Sequence, residues 1–473
     1  VLSACNRIVP RLGAWLAVLL VITALLPGNT ASAQPAPAGL TNTDVTFHNG
    51  DVTLHGTVVA PAGGDAKHPG VVLAHGSGPR QRDALRPQAE AFARAGIVAL
   101  IADKRTEGYT QFHRDFEALA DDAIAGVEVL RARPDVDPGR VGVWGFSEGG
   151  WISPLAGSRS AHVAFVITVG GSGLPPARVQ AWSNGNYLAH AGVSNSLLRP
   201  LGVDFTRLLA KAGLFGAADH DPVPPLEHLH QPLLGIFFGH DQSTASQESM
   251  AIFRDALTRG GNEHYNLRVI PEANHRMHAS ADGFTASDEF APGFFDLMTS
   301  WVNGLGHGLP VASADAPPHQ DRQSVPLEPS SWYESLWAQL TAFVLILVCF
   351  LIYPVSALIR RLRSRRDPVP ARAAARTLAA TGPVAALGAL LFLGYVAINA
   401  GQTVGPVVLG RPVVWLVLQL LAVGAAIAFA ATVLAWWRGR STLAGWAKLR
   451  LGTLALGGVV FLPWAAYWGL FTV

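Results

Sequence analysis

From residue 45 to residue 169, short apolar runs of strand length alternate with stretches of helical period. Residues 45–59 switch between apolar and polar positions around Asn49-Gly50, a dipeptide that readily takes the left-handed backbone of a tight turn, so the pattern predicts an antiparallel hairpin. Residues 69–74 form a brief apolar run that opens into the glycine-rich His75-Gly76-Ser77-Gly78. A helix over 84–95, a strand over 97–102, an amphipathic helix over 116–132, a strand ending at Trp144 and another over 164–169 follow. Such alternation, with short joints, predicts a mostly parallel sheet covered by helices on both faces, with the hairpin as an antiparallel edge.

The alternation stops at residue 174. Residues 174–230 are rich in Pro, Asn and Leu, with weak helical period and no strand pattern, as expected of a helical cap inserted into the sheet. Strand, helix, strand and helix resume over 232–239, 244–258, 267–270 and 289–303. These boundaries predict an α/β domain over residues 44–303. Residues 304–334 turn to Pro, Ala, Asp and Ser, the composition of a linker. Four apolar runs then cover 336–359, 378–400, 413–437 and 451–473, each at or above the roughly 20 residues that cross a bilayer. An all-α, four-span region over 335–473 is therefore expected, with Gly382, Gly388 and Gly394 allowing close helix contact.

Charge sharpens this division. Only 14% of the chain is charged, against roughly 25% in ordinary soluble proteins. Residues 335–473 hold 12 basic residues and one acid, while the remainder is net acidic. The basic residues sit between the apolar runs, at 360–376 and 438–450, instead of on a folded face, which argues against nucleic-acid binding. At the front, Arg7 and Arg11, an apolar core over 14–26 and Ala31-Ser32-Ala33 read as a signal peptide over 1–33, followed by a spacer over 34–43. Export of the front domain and the positive-inside rule then agree: the two basic loops face the cytoplasm, and the α/β domain lies on the outer, periplasmic side of a bacterial cytoplasmic membrane. The interiors of the apolar runs carry no Asp, Glu, Lys or Arg, which disfavours an ion or proton pathway. On this reading the spans are an anchor in the lipid bilayer, and a chain ending near Gly304 should fold and stay active.

Gly145-Phe146-Ser147-Glu148-Gly149 follows the strand that ends at Trp144 and precedes a helical stretch. A serine at a strand-to-helix turn is held above the sheet edge, where small flanking residues let backbone approach. Its hydroxyl needs a base, and the base needs an orienting acid. Asp241, at the end of the 233–238 run, suits the acid, and His275, beyond the last strand, suits the base. His240, His264 and His278 compete for the second position, and Glu272 and Asp282 for the first. The N–H groups of Glu148 and Ser77 are the expected oxyanion hole. His75 is read as a structural residue of its loop, Asp103-Lys104-Arg105 as salt-bridged structure, and Asp121-Asp122 as a solvated helix face. No residue cluster has metal-ligand spacing, no phosphate loop is present, and Cys5 and Cys349 leave the α/β domain without a thiol; no cofactor is expected.

Residues 44–303 resemble the α/β-hydrolase superfamily, in particular its bacterial esterases, dienelactone-hydrolase-like proteins and serine-aminopeptidase-like hydrolases. The His75-Gly-Ser-Gly loop, the Asp103-Lys-Arg strand end, Gly145-Phe-Ser-Glu-Gly-Gly150, Gly239-His-Asp241 and Asn274-His275 carry the likeness. The resemblance implies hydrolysis of a carboxylic ester, thioester or amide without a metal, acting on a small acyl ester or a peptide-like substrate. A non-catalytic sensor or binding module on a membrane anchor is the alternative of another class; it would have no need of all three of Ser147, Asp241 and His275.

Overall fold

The computed structural model describes residues 39–473 except 64–65, 111, 328–330, 364–370, 440, 442, 444 and 473. The expected signal peptide and the first half of the spacer, residues 34–38, lie outside the described residues. Asn49 pairs with Val52 across the turn that joins β1 (Leu40–Asn49) to β2 (Val52–Pro61), the hairpin that the alternation predicts. The remaining strands are β3 (His68–Ala74), β4 (Val98–Ala102), β5 (Val136–Phe146), β6 (Val166–Val169), β7 (Leu233–Phe238), β8 (Tyr265–Ile270) and β9 (Ser313–Ala314). They form one sheet in the order β1-β2-β4-β3-β5-β6-β7-β8-β9. β1, β2 and β4 pair antiparallel, and every later pairing is parallel.

Alternate side chains of the central strands enter two separate cores. Val72 and Val143 belong to one, while Val71, Leu73 and Trp144 belong to the other. Such two-sided burial needs helices on both faces, supplied by α1 (Arg86–Arg94), α2 (Phe116–Arg131) and α3 (Gly149–Arg159). Asp115 starts α2 by accepting the Ala118 N–H at 3.0 Å, a cap worth about 1 kcal/mol. Residues 174–230 form the helical cap: α4 (Pro176–His190), α5 (Asn195–Leu198), a π-helical turn (Arg199–Asp204), α6 (Phe205–Lys211) and α7 (Val223–Glu227). α8 (Ser246–Arg259) and α9 (Phe294–Gly304) complete the α/β part.

The register brings the carboxyl ends of the parallel strands to one edge. Ala74 pairs with Gly145, Phe146 with Val169, and Phe238 with Ile270. The loops after β3, β5, β6, β7 and β8 therefore meet above that edge, where open α/β sheets bind their ligands.

The Pro- and Ala-rich residues 304–334 differ from the expected linker. β9 adds a ninth strand beside β8, Gln320 donates to the carbonyls of Asp241 and Thr244, and Trp182 of the cap donates to the Arg322 carbonyl at 2.7 Å. Composition marks this segment as irregular, and an irregular backbone still satisfies its polar groups on a neighbouring surface.

Beyond it lie α10 (Leu336–Leu362), α11 (Arg372–Ile398), α12 (Val413–Gly439) and α13 (Gly445–Tyr467), all long and apolar enough to cross a membrane. A Cβ on Gly382 would stand 2.2 Å from Phe350, and one on Gly388 would stand 2.4 Å from Leu418, so these glycines permit the helix contacts expected of them; Gly394 faces open space. Arg450 also differs from expectation. It lies inside α13, buried, donating to Ser356 Oγ at 2.6 Å and stacking on Tyr353 of α10.

The four helices share a core with the cap, contrary to a simple anchor. Leu188, Leu197, Leu201 and Phe205 of the cap bury together with Phe392, Trp415, Trp464 and Trp468. Arg207 of the cap bonds Asp204 and Glu334, and its guanidinium reaches the Tyr467 hydroxyl at 3.5 Å. Ser194 donates to the Gly410 carbonyl at 2.8 Å in the α11–α12 connection.

Candidate active site

Ser147 opens the turn between β5 and α3 with φ +54°, a left-handed conformation that costs a non-glycine residue energy and is held by its surroundings. Its own N–H is fixed by the Val169 carbonyl at 2.9 Å. The turn is possible because its neighbours are glycine: a Cβ on Gly145 would lie 1.8 Å from the Gly149 carbonyl oxygen, and one on Gly149 would lie 2.6 Å from that of Ala74. The spacing of Gly145-x-Ser-x-Gly149 is thus a packing requirement at this sheet edge.

Ser147 Oγ stands 2.9 Å from His275 Nε2, and His275 Nδ1 stands 2.8 Å from Asp241 Oδ2. Asp241 is 0% exposed. Its other oxygen accepts the N–H groups of Ser243 and Thr244 at 2.8 and 2.7 Å, so the turn after β7 fixes the carboxylate before the histidine reaches it. A carboxylate accepts only, so Nδ1 carries a hydrogen and Nε2 is left as the acceptor for the serine hydroxyl. The arrangement can remove the serine proton as the oxygen attacks an acyl carbon.

The competing residues are engaged elsewhere. His240, His264 and His278 bond the carbonyls of Ser280, Pro310 and Ser287. Asp282 caps its own turn, and hydrogen bonds from the Thr285 and Phe284 N–H groups hold its carboxyl down at about 2. His75 anchors its loop through Nε2 to the Ala102 carbonyl at 2.8 Å, and burial lowers it to about 4, so it stays neutral near pH 7.

Ser77 and Glu148 both line the cavity around Ser147, and their N–H groups meet no acceptor among the described residues. The Glu148 side chain holds more than the pentapeptide suggests. It is 1% exposed and pairs with Lys104 and with Arg114, the latter at 3.0 Å, while the Tyr109 hydroxyl donates to it at 2.8 Å. Lys104 also donates to the Gly76 carbonyl at 2.8 Å, and the Gly78 N–H donates to Tyr109 Oη at 2.9 Å. The network therefore ties the 75–78 loop to the residue after the serine. Burial pulls the Lys104 ammonium below its ordinary range, with Glu148 opposing, and burial beside Glu148 raises the Tyr109 hydroxyl. The salt-bridged reading of Asp103-Lys104-Arg105 fits these contacts, although Lys104 sits closer to the serine than that reading implies. Asp122 departs from the expected solvated face: Arg105 and Asn49 both bond it, and burial raises its carboxyl.

These residues border a cavity of about 650 Å³. Arg80, Trp151, Phe215, Arg276 and Phe284 contribute walls, as does a stripe of α4. Ala400 and Gln402, from the connection between α11 and α12, close another side. Sequence reasoning missed Arg114, Tyr109, Gln402 and the Thr244 turn; of their surroundings, only Asp103-Lys104-Arg105 had stood out beforehand.

No family model matches the chain. It is similar to Esterase EstD of Thermotoga maritima, 25% identical over 273 residues, which are 52% of this chain and 63% of that protein. It is also similar to Quorum-quenching protein AidA of Acinetobacter baumannii, 32% identical over 129 residues, 26% of this chain and 42% of that one. The chain thus spans less than two thirds of the length of these curated relatives. Among solved structures, a dienelactone hydrolase from Anabaena variabilis aligns at 21% identity over 57% of this chain and 99% of its own, with a TM-score of 0.37, which adds no weight to the topology above. The sheet order, the strained serine turn and the serine–acid–histidine order along the chain define an α/β-hydrolase fold. This fold is joined here to four long apolar helices.

Proposed function

We propose that the protein is an exported, membrane-tethered serine hydrolase that cleaves a carboxylic ester through an acyl-enzyme on Ser147. The observation that carries the reading is the unbroken line from Asp241 through His275 to the Ser147 oxygen. Ser147 Oγ forms a bond to the acyl carbon as its proton passes to His275 Nε2. The N–H groups of Ser77 and Glu148 receive the negative oxygen. Collapse breaks the ester C–O bond, and His275 returns the proton to the leaving alcohol. Water, deprotonated by the same histidine, then releases the acid and frees Ser147. Thioesters and amides demand the same steps with a different leaving group. The aminopeptidase-like reading therefore stands as the neighbouring possibility, separated by substrate alone.

The ends of α10 and α11 support the tether. α10 leaves from the cap side, and α11 returns to it, because Gly401 lies against Asn184 of the cap. Arg360, Arg361 and Arg363 end α10 and Arg372 and Arg376 begin α11, so they sit at the opposite end, as expected if that end faces the cytoplasm. The test is a panel of acyl esters, thioesters and aminoacyl amides on the full-length protein and on Ser147→Ala. Hydrolysis of at least one small ester, lost in the variant, is expected. An inactive wild type across the whole panel would favour the binding-module reading.

A further inference from the structure

The helix α4 separates the cavity from the four apolar helices and serves both. Pro176, Val179, Gln180, Ser183 and Tyr187 recur at helical spacing on the cavity side, while Leu188 enters the core shared with the long helices. The wall continues directly into those helices: α11 ends at Ile398, 83% exposed, and Ala400 and Gln402 of the next turn line the cavity. Gly401 between them is seated on the Asn184 backbone of α4, where a Cβ would stand 3.1 Å from the carbonyl oxygen. Exposed Trp332 and Trp337 lie at the start of α10, and exposed Trp437 and Trp446 lie at the far end of the bundle, the paired aromatic belts of a bilayer's two interfaces. With the four helices spanning a bilayer between these belts, the cavity side carrying Ala400 and Gln402 would stand at headgroup depth.

Its charge is one-sided. Arg80, Arg114 and Arg276 line it against a single acid, Glu148, which Arg114 and Lys104 already neutralise. Arg80 and Arg276 have no carboxylate partner among the described residues, and both side chains are exposed to the cavity.

Building on the serine-hydrolase reading above, we infer that the substrate is an ester-bearing amphiphile with an anionic headgroup, taken from the outer surface of the bilayer. The apolar chains stay with the lipid beside Ile398, the headgroup anion meets Arg80 and Arg276, and the acyl carbon reaches Ser147. Hydrolysis moves the acyl group to Ser147 and then to water, releasing the alcohol with its anionic group intact.

The full-length protein in phosphatidylcholine nanodiscs tests this with fluorogenic esters that share one scissile bond. The first is long-chain with a phosphate headgroup, the second long-chain with a phosphocholine headgroup, and the third a short-chain, water-soluble phosphate. 4-Nitrophenyl butyrate reports the hydrolase itself. We expect kcat/KM for the long-chain phosphate to exceed that for the phosphocholine ester at least tenfold and that for the soluble phosphate by a similar factor. In Arg80→Gln/Arg276→Gln the headgroup ratio should fall to within threefold. Equal rates on the two headgroups, or a preference for the soluble phosphate, with butyrate hydrolysis intact, would overturn the inference alone. An unchanged headgroup ratio in the double variant would do the same. Failure of the wild type to cleave butyrate would remove the hydrolase reading and the inference with it.

Discussion

The sheet and the four apolar helices are stabilised by different means, and the cap is where the two meet. In the sheet, alternate residues of each strand fill two cores, so Val71 and Val72 face opposite ways and the strand ends are held in register. In the helical region, close contacts at small residues and a few buried polar links do the same work: Gly382 against Phe350, Gln419 donating to the Gly469 carbonyl at 3.0 Å, Arg450 on Ser356. The sheet edge fixes Ser147, Asp241 and His275 to within hydrogen-bond distance. The helical region instead shapes the far wall of the cavity through the cap.

The comparison can be broken first at the sheet edge. Asp241→Asn keeps the shape of the turn but removes the acceptor that sets the histidine tautomer, and kcat should fall by about 10⁴-fold with KM little changed. Steady-state kinetics on one soluble ester measure this, and a loss below about tenfold would detach Asp241 from the chemistry.

Removing the helical half is the second break. A chain ending at Gly304 exposes Leu197, Leu201 and Phe205 of the cap, and removes Gln320 from Asp241 together with Gln402 from the cavity. It should aggregate, or keep less than a tenth of the full-length kcat/KM for a soluble ester. Size-exclusion chromatography followed by the same assay decides. A soluble fragment of full activity would return the helices to a plain anchor.

The smallest effect is expected within the site. Lys104→Met frees the Gly76 carbonyl while leaving the Glu148–Arg114 pair charge-balanced, so the 75–78 loop should loosen. An oxyanion donor that is absent costs 10²–10³ in kcat, and one that is only displaced should cost about tenfold. Stability should fall by about 1–3 kcal/mol for the lost buried hydrogen bonds. Kinetics and thermal unfolding on the same preparation separate the two.

Much of the sheet edge was legible in the sequence, because strand ends mark position. Once apolar runs locate β5 and β7 and a short alternating run locates β8, the residues just beyond them must share one edge, and only a few titratable side chains lie there. His264, preceding β8, falls at the opposite edge by the same logic. What was not legible depends on segments without a period. Arg114 comes from the irregular connection between β4 and α2, and only its approach to Glu148 gives it meaning. Gln320 lies in a stretch whose Pro and Ala content resembles a tether. Ala400 and Gln402 follow an apolar run whose length indicates a span and nothing of what its end touches. Arg450 shows the same limit from the other side: its charge suggests a loop, whereas the Ser356 hydroxyl and the Tyr353 ring accommodate it between helices.

The central claim is that Ser147, activated through His275, is the atom that takes the acyl group. The most direct measurement is to treat the folded, full-length protein with a fluorophosphonate and locate the adduct by peptide mass spectrometry. The account predicts one adduct, on the peptide bearing Ser147, none in Ser147→Ala, and labelling slowed at least a hundredfold in His275→Ala. An adduct on another residue, or undiminished labelling of Ser147→Ala, would contradict it.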